Sequence, residues 1–132
     1  MKRRAAAAAC PCGGEDYQDC CGRFHRGDTP GTAVQLMRSR YSAYALGLHD
    51  YLLATWHART RPAPASLRDD DQARWLGLEL RAQSEHGDEA TVEFIARYRL
   101  GGRAHRLHET SRFLREQGRW YYLDGTFAEG RQ

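Results

Sequence analysis

Lysine is almost missing from this 132-residue chain: Lys2 is the only one among 20 basic residues, and all the others are arginine. No cysteine follows Cys21, and no apolar run approaches the roughly 20 residues a membrane-spanning helix requires. No membrane partner is expected. The familiar signatures of catalysis are also missing, with no P-loop, dinucleotide fingerprint, H-E-x-x-H pair or nucleophile elbow. The sequence therefore nominates no catalytic residue by motif, and an enzyme is the less favoured reading. The formal charge of +3 is small, and the arginines are scattered rather than gathered in a run, so no nucleic-acid partner is expected. What is present is a globular composition, 41% hydrophobic and 28% charged, with 3 Trp, 7 Tyr and 4 Phe to build a core. The length suits one domain with at most a small appendage.

The opening MKRRAAAAAC has the outline of an export leader. It is too short: Ala5 to Ala9 are weakly apolar, whereas an export segment carries roughly 7–15 strongly apolar residues. The expectation is a disordered segment 1–9 at the start of a cytoplasmic protein.

All four cysteines lie in CPCGGEDYQDCCGRFH, residues 10–25, in the pattern C-x-C-x7-C-C. Disulfides fit poorly, because Cys20 and Cys21 are adjacent and a bridge inside so short a loop removes little chain entropy. A zinc ion fits better. Four thiolates in a tetrahedron let a loop-rich segment fold without a hydrophobic core of its own. Pro11 restricts the first turn, Gly13 and Gly14 admit positive φ near the sulfurs, and Gly22 serves similarly after the second pair. Cys10, Cys12, Cys20 and Cys21 are the expected Zn2+ ligands, with redox thiols or packing cysteines as the alternatives. His25 is close enough to replace Cys21 or to stand behind the ligands, and Arg23 and Arg26 read as counter-charges to the thiolates.

CPCG, Tyr17, CCG and His25 together resemble the SEC-C motif, a zinc knuckle found at the C-terminus of the SecA translocase and attached to many bacterial proteins. GGEDYQD is one residue shorter than the family's usual loop, which bears on the surface of the knuckle more than on its ligands. The resemblance implies protein contacts, as in SecA with the SecB chaperone and the ribosome.

RGDTPG then reads as a linker. Thr32 and Gln35 form a capping box, and Val34, Met37, Tyr41, Tyr44, Ala45 and Leu48 trace one apolar helical stripe that weakens at Gly47. Asp50 is placed to cap a second short helix, YLLATWH. Pro62 and Pro64 mark ARTRPAPASLRDDD as a connection with room for one more helical turn. From Trp75 the period becomes two: Leu76, Leu78, Leu80 and Ala82 share a face, then Val92, Phe94, Ala96, Tyr98 and Leu100. Turns at Gly87-Asp88, Gly101-Gly102 and EQG separate four antiparallel strands, the third from about His105 to Arg115. Helices followed by a meander predict an α+β fold with the helices on one face of the sheet.

That order is similar to the nuclear-transport-factor-2-like cone. MRSRYSAYALG, YLLATWHARTRP, VEFIARYR, LHETSRF and GRWYYLDG resemble the YchJ family of uncharacterised bacterial proteins, in which a SEC-C knuckle precedes such a cone. The resemblance implies a knuckle over 10–28 and a cone over 29–128. It brings no established activity.

If Leu107 and Phe113 of the third strand face the interior, Glu109 and Ser111 do too. A buried carboxyl needs a partner, and the ordinary expectation is a tie to an inward Arg, Tyr or Trp. The sharper one is a pocket in which Glu109, with Ser111, Tyr98, His57 or Arg40, holds a small molecule or moves a proton. His105 and His108 face opposite ways and cannot share a metal, Asp124 is expected to shape the last turn, and the outward Glu93, Arg97, Arg99, Arg106 and Arg112 offer no apolar dimer face. Two readings follow: a non-enzymatic adaptor whose knuckle meets a protein partner, or a small-molecule binder or enzyme built on the cone pocket.

Overall fold

The computed structural model describes residues 8–67 and 73–128. A single 3-10 turn, Tyr17–Asp19, and α1, Cys21–His25, make up the knuckle; α2 (Ala33–Leu46), α3 (His49–Ala54) and α4 (Pro64–Leu67) follow. Four strands then run antiparallel in sequence order: β1 (Arg74–His86), β2 (Glu89–Leu100), β3 (Arg103–Glu116) and β4 (Arg119–Phe127). This is the α+β architecture expected, with α2 packed against the sheet.

Thr32 caps α2, its Oγ1 accepting the Gln35 N–H at 3.1 Å. The return bond differs from the capping box expected: Gln35 Oε1 takes the N–H of Gly31, at 2.7 Å, one residue earlier than Thr32. Gly47 ends the helix in the left-handed region, φ 73°. The buried face is wider than the expected stripe. It includes Ala33, Leu36, Met37, Ser39, Arg40, Tyr41, Ser42 and Ala43, because the sheet, the knuckle and α3 all pack on this one helix. Small residues sit where neighbours come closest, and Ser39 Oγ meets the Tyr51 hydroxyl at 2.6 Å.

Two further expectations shift. Asp50 lies within the first turn of α3 and Leu48 is the cap residue. The helix also stops at Ala54, because Trp56 leaves it to form a parallel bridge with Tyr122, with His57 N–H donating to Tyr122 O at 2.8 Å. In β1, bulges between Trp75 and Gly77 and between Leu80 and Ala82 break the alternation. Leu76 is thus 50% exposed and Ala82 is exposed, while Trp75, Leu78 and Leu80 pack inward. Leu100, at the tip of the next hairpin, is also exposed. Gly101 and Gly102 both have positive φ, as a two-residue turn between twisted strands demands.

The larger of two apolar clusters runs from the sheet (Val92, Phe94, Ala96, Phe113, Trp120) through α2 (Leu36, Met37, Tyr41) into Cys10, Cys12 and Cys21, and the smaller joins Ala43, Leu52 and Leu67 of α2, α3 and α4. Each fully buried large side chain in either contributes about 1.5–3 kcal/mol. The knuckle is therefore part of the cone's core and no tethered bead. Of the segment 1–9, only Ala8 and Ala9 are described, and the Ala8 carbonyl already accepts the Tyr17 N–H at 3.0 Å. The aspartate run 69–71 lies outside the described residues.

Candidate metal centre and cone cavity

The four cysteine sulfurs lie within 4.8 Å of one another, and Cys12 Sγ to Cys20 Sγ is 3.5 Å. Four sulfurs at 2.3 Å from a tetrahedral ion would be about 3.8 Å apart, so this cluster has the dimensions of a metal cage. Three of the four are buried and Cys20 is half-buried. The turn from Cys10 to Gly13 is closed by Gly13 N–H donating to Cys10 O at 2.9 Å. Gly14 has to be glycine, since a Cβ there would stand 2.6 Å from Cys20 Sγ. Gly22 has a different task from the one expected: it sits in α1 with normal φ, and a Cβ would press on Tyr17 O at 2.7 Å.

The thiols perturb one another strongly, as closely packed sulfurs do. Hydrogen bonding from Cys21 foremost holds the Cys12 thiol down at about 4. Cys21 is pushed up by that same bond and by burial, while burial and then Cys12 push Cys20 up to about 11. Cys12, Cys20 and Cys21 thus compete for negative charge, and four thiolates side by side need a cation in their midst.

Helix α2 is the floor of this centre. Cys10 Sγ lies 3.4 Å from Ser42 Oγ, and Arg38 Nη1 donates to Cys12 O at 3.2 Å. His25 does not join the sulfurs as a substitute ligand. Its Nε2–H donates to Ser39 O at 2.9 Å, so its Nδ1 accepts the Tyr17 hydroxyl at 2.5 Å, and burial lowers its pKa to suit the neutral ring. With both nitrogens engaged, it braces the knuckle against α2. Arg26 closes the outer side by donating to Gln18 Oε1 at 2.7 Å and to Gln18 O at 3.1 Å, and Arg23 lies over the Phe24 ring.

The second locus is inside the cone. Glu109 and Ser111 point inward, 7% and 2% exposed. Ser111 Oγ and Tyr122 OH both donate to Glu109 Oε2, at 2.8 and 3.0 Å, and among the described residues none bonds Oε1. Burial raises the Glu109 pKa, against the pull of those two donors and of the Arg40 charge. Gly125 closes the wall behind it, for a Cβ there would collide with the carboxylate. The carboxyl faces a cavity of about 70 Å³ whose lining includes Arg40, Tyr44, Trp75, Leu107 and Tyr122. The Trp75 Nε1 atom is buried without a hydrogen-bond partner.

Of the candidates named from sequence, Glu109, Ser111 and Arg40 meet at this cavity; Tyr98 and His57 do not. Tyr98 stands between Trp75 and His105, 5.1 Å from each ring, and His57 Nε2 pairs with Glu116 at 2.8 Å. Arg40 is held by its own contacts: Nη1 donates to Leu52 O at 2.8 Å and to Thr55 Oγ1 at 2.7 Å, and its guanidinium lies over the Trp56 and Tyr122 rings. Tyr122 and Trp75 were missed. Alternation in RWYYLDG could have found Tyr122, but the bulge hid the facing of Trp75. Asp124 shapes no turn; it lies within β4 and forks to Arg112 with two 2.7 Å bonds. A wider groove of about 270 Å³ lies beside that pair, lined by Arg59, Glu89, Thr91 and Leu123 among others.

Known proteins share this arrangement. Residues 32–125 match the family model described as YchJ, middle NTF2-like domain. A UPF0225 protein of Chromobacterium violaceum is 57% identical over 132 residues, spanning 96% of this chain and 98% of its own. The solution structure of a SEC-C motif containing protein from Rhodopseudomonas palustris is similar with TM-score 0.83 and 37% identity, over 93% of this chain and 99% of that one. A crystal structure of another such protein, from Psychrobacter arcticus, gives TM-score 0.76 and 27% identity over 98% and 80%. By the family model that spans most of its length and by its 57% identity to a curated relative, the chain belongs to the YchJ family of UPF0225 proteins.

Proposed function

We propose that this protein is a cytoplasmic, non-enzymatic adaptor in which a Zn2+ ion held by Cys10, Cys12, Cys20 and Cys21 keeps the knuckle rigid against α2 for contact with a protein partner. The observation that carries this reading is the cage itself: four sulfurs within 4.8 Å, three of them buried in the core they share with α2. A reduced compartment keeps such thiols available for metal. The ion supplies cross-linking only, since four protein ligands leave no open coordination position for chemistry. Glu15, Gln18, Asp19 and Arg23 form the exposed outer surface of the knuckle, a small polar relief that the buried cage holds in shape. Translation, secretion or quality-control machinery is the setting that fits a SEC-C knuckle.

The test is elemental analysis joined to partner capture. The wild type should carry one zinc per chain. Cys10→Ser should lose both zinc and partner, while Asp19→Lys with Arg23→Glu should keep zinc and lose the same partner. Substoichiometric zinc in protein made with adequate metal would end the proposal.

A second reading rests on the Glu109 cavity. Oε1, which no described residue bonds, and the orphaned Trp75 N–H provide one acceptor and one donor in an apolar lining, the makings of a site for a small polar molecule. The small volume and the commitment of Arg40 to Leu52 and Thr55 favour holding over catalysis. A thermal-shift screen decides it: a ligand that stabilises the wild type and not Glu109→Gln supports the site, and equal stabilisation of both removes it.

A further inference from the structure

Arginines that are scattered in the sequence are gathered by the register of the sheet. Arg74 lies opposite Arg99 across β1 and β2, and Arg97 lies opposite Arg106 across β2 and β3. Alternation puts all four on the outer face near the β2–β3 turn, and all four are exposed. Like charges directly opposite each other destabilise a sheet, yet two such pairs occur in adjacent rows here. Compensation is slight: among the described residues, Glu79 is the one carboxylate within ion-pair distance of any of them, at 3.6 Å from Arg97, and Arg81 also claims it at 3.1 Å.

The inner side of the same tip carries a different chemistry. His105, exposed, lies nearly parallel to Tyr98, at 17° and 5.1 Å, and Tyr98 continues to Trp75. Arg103 is beside them, opposite Leu100 at the turn. The tip thus combines paired guanidinium forks with the end of an aromatic stack.

We infer that the β2–β3 hairpin tip binds single-stranded nucleic acid, with Arg74, Arg97, Arg99 and Arg106 on the phosphates and His105 as a stacking platform for a base. Each repelling pair is relieved when a phosphate lies between its members, so the arrangement that destabilises the free sheet favours a polyanion. The arginine rows are two residues apart along the strand, about 6.7 Å, a step comparable to one nucleotide of an extended strand. The aromatic end distinguishes a nucleic acid from an acidic polypeptide, because a base presents a flat face and a carboxylate side chain does not. This surface is separate from the cage and from the Glu109 cavity and stands whether or not either is functional.

The test uses metal-loaded full-length protein and two labelled probes, 20-mers of oligo(rU) and oligo(dT), read by fluorescence anisotropy. With about 0.7 counterions released per phosphate contact on a single strand, four contacts predict an affinity loss of about 50-fold between 50 and 200 mM salt. Arg97→Gln with Arg106→Gln should halve the logarithmic salt slope, cutting that loss to about sevenfold. Its thermal midpoint should stay level or rise, because a repelling pair has gone; misfolding would lower it. His105→Ala should weaken binding at least about fivefold, and Arg59→Gln with Arg61→Gln should change nothing. Binding of either probe in this manner supports the proposal, and a preference between them identifies the sugar read. No binding at 50 mM salt, a salt slope unchanged in the Arg97/Arg106 variant, or displacement of the probe by polyglutamate at equal charge would overturn it, the last in favour of an acidic protein.

Discussion

The knuckle and the cone reach rigidity by opposite routes. The cone packs Leu36, Phe94, Phe113 and Trp120 in a conventional apolar core and needs no ion for it. The knuckle has one large buried apolar side chain of its own, Phe24, and otherwise buries sulfur. A segment this short cannot by itself remove enough apolar surface from water to offset its ordering entropy, so it draws on the core it shares with α2 and, in the proposed function, on an ion. The two are nevertheless continuous, because Cys10, Cys12 and Cys21 belong to the same cluster as α2. If the proposed ion is bound, the effect of its loss should thus spread along the helix, while damage within the cone should leave the cage alone.

Metal removal is the strongest test of that asymmetry. Structural zinc contributes on the order of 10 kcal/mol in isolated fingers. Here the sheet has its own core, so chelation should lower the thermal midpoint by more than about 10 °C, equivalent to a few kcal/mol, without abolishing the fold. Hydrogen exchange should show protection lost in α2 around Ser42, which meets Cys10, and Ser39, whose carbonyl holds His25, and kept in β2 and β3. Uniform loss across both regions would show that knuckle and cone are one cooperative unit.

Next in size is Gly125→Ala. The new methyl collides with the Glu109 carboxylate, and overpacking of this kind costs about 1–3 kcal/mol. In a Glu109→Ala background most of that cost should vanish, and a double-mutant cycle by denaturant melts measures the coupling. Zinc content should be untouched in every corner of the cycle.

Glu109 also gives the cone a pH dependence opposite in sign to that of a thiolate cage, which loses its metal to protons as pH falls. Its folded pKa is raised by burial above the ordinary 4.5. The folded protein therefore holds that proton more tightly than the unfolded chain does. The associated stability is complete below about 4.5 and declines as pH rises through the folded value. Glu109→Gln should flatten the stability profile over that window, as read by urea melts at stepped pH. An unchanged profile would mean that Glu109 is ionised throughout, neutralised by Arg40.

How much of this was legible from residues alone follows the range of each interaction. Ligand type and spacing gave the four cysteines, because both pairs sit within a few residues of each other. Alternation along a single strand put Glu109 and Ser111 inside. Whatever depends on a partner elsewhere in the chain was hidden. His25 looks like a ligand until Ser39 and Tyr17 engage both ring nitrogens, and Asp124 looks like a turn residue until the register sets it against Arg112. Tyr98 and His57 were attached to the pocket by residue type; Tyr98 stands behind Trp75 of the cavity wall, and His57 pairs with Glu116 away from it. The arginine rows of the hairpin divide on the same line: a two-residue turn at Gly101-Gly102 already sets Arg97 opposite Arg106, whereas the bulges of β1 hide that Arg74 meets Arg99.

The bulged start of β1 offers the smallest effect and the finest discrimination. By alternation Leu76 and Leu78 are equivalent, both inward and two residues apart. The bulge after Trp75 turns Leu76 out, where it is 50% exposed, and leaves Leu78 against the core. Leu76→Gln should therefore change stability by no more than about 0.5 kcal/mol, as surface substitutions do. Leu78→Gln should cost clearly more, because it carries an amide to the edge of an apolar cluster. Equal costs in denaturant melts would mean that the strand pairs without the bulge in solution. Trp75 would then leave the cavity wall, and with it would go the orphaned N–H on which the second reading of the cone depends.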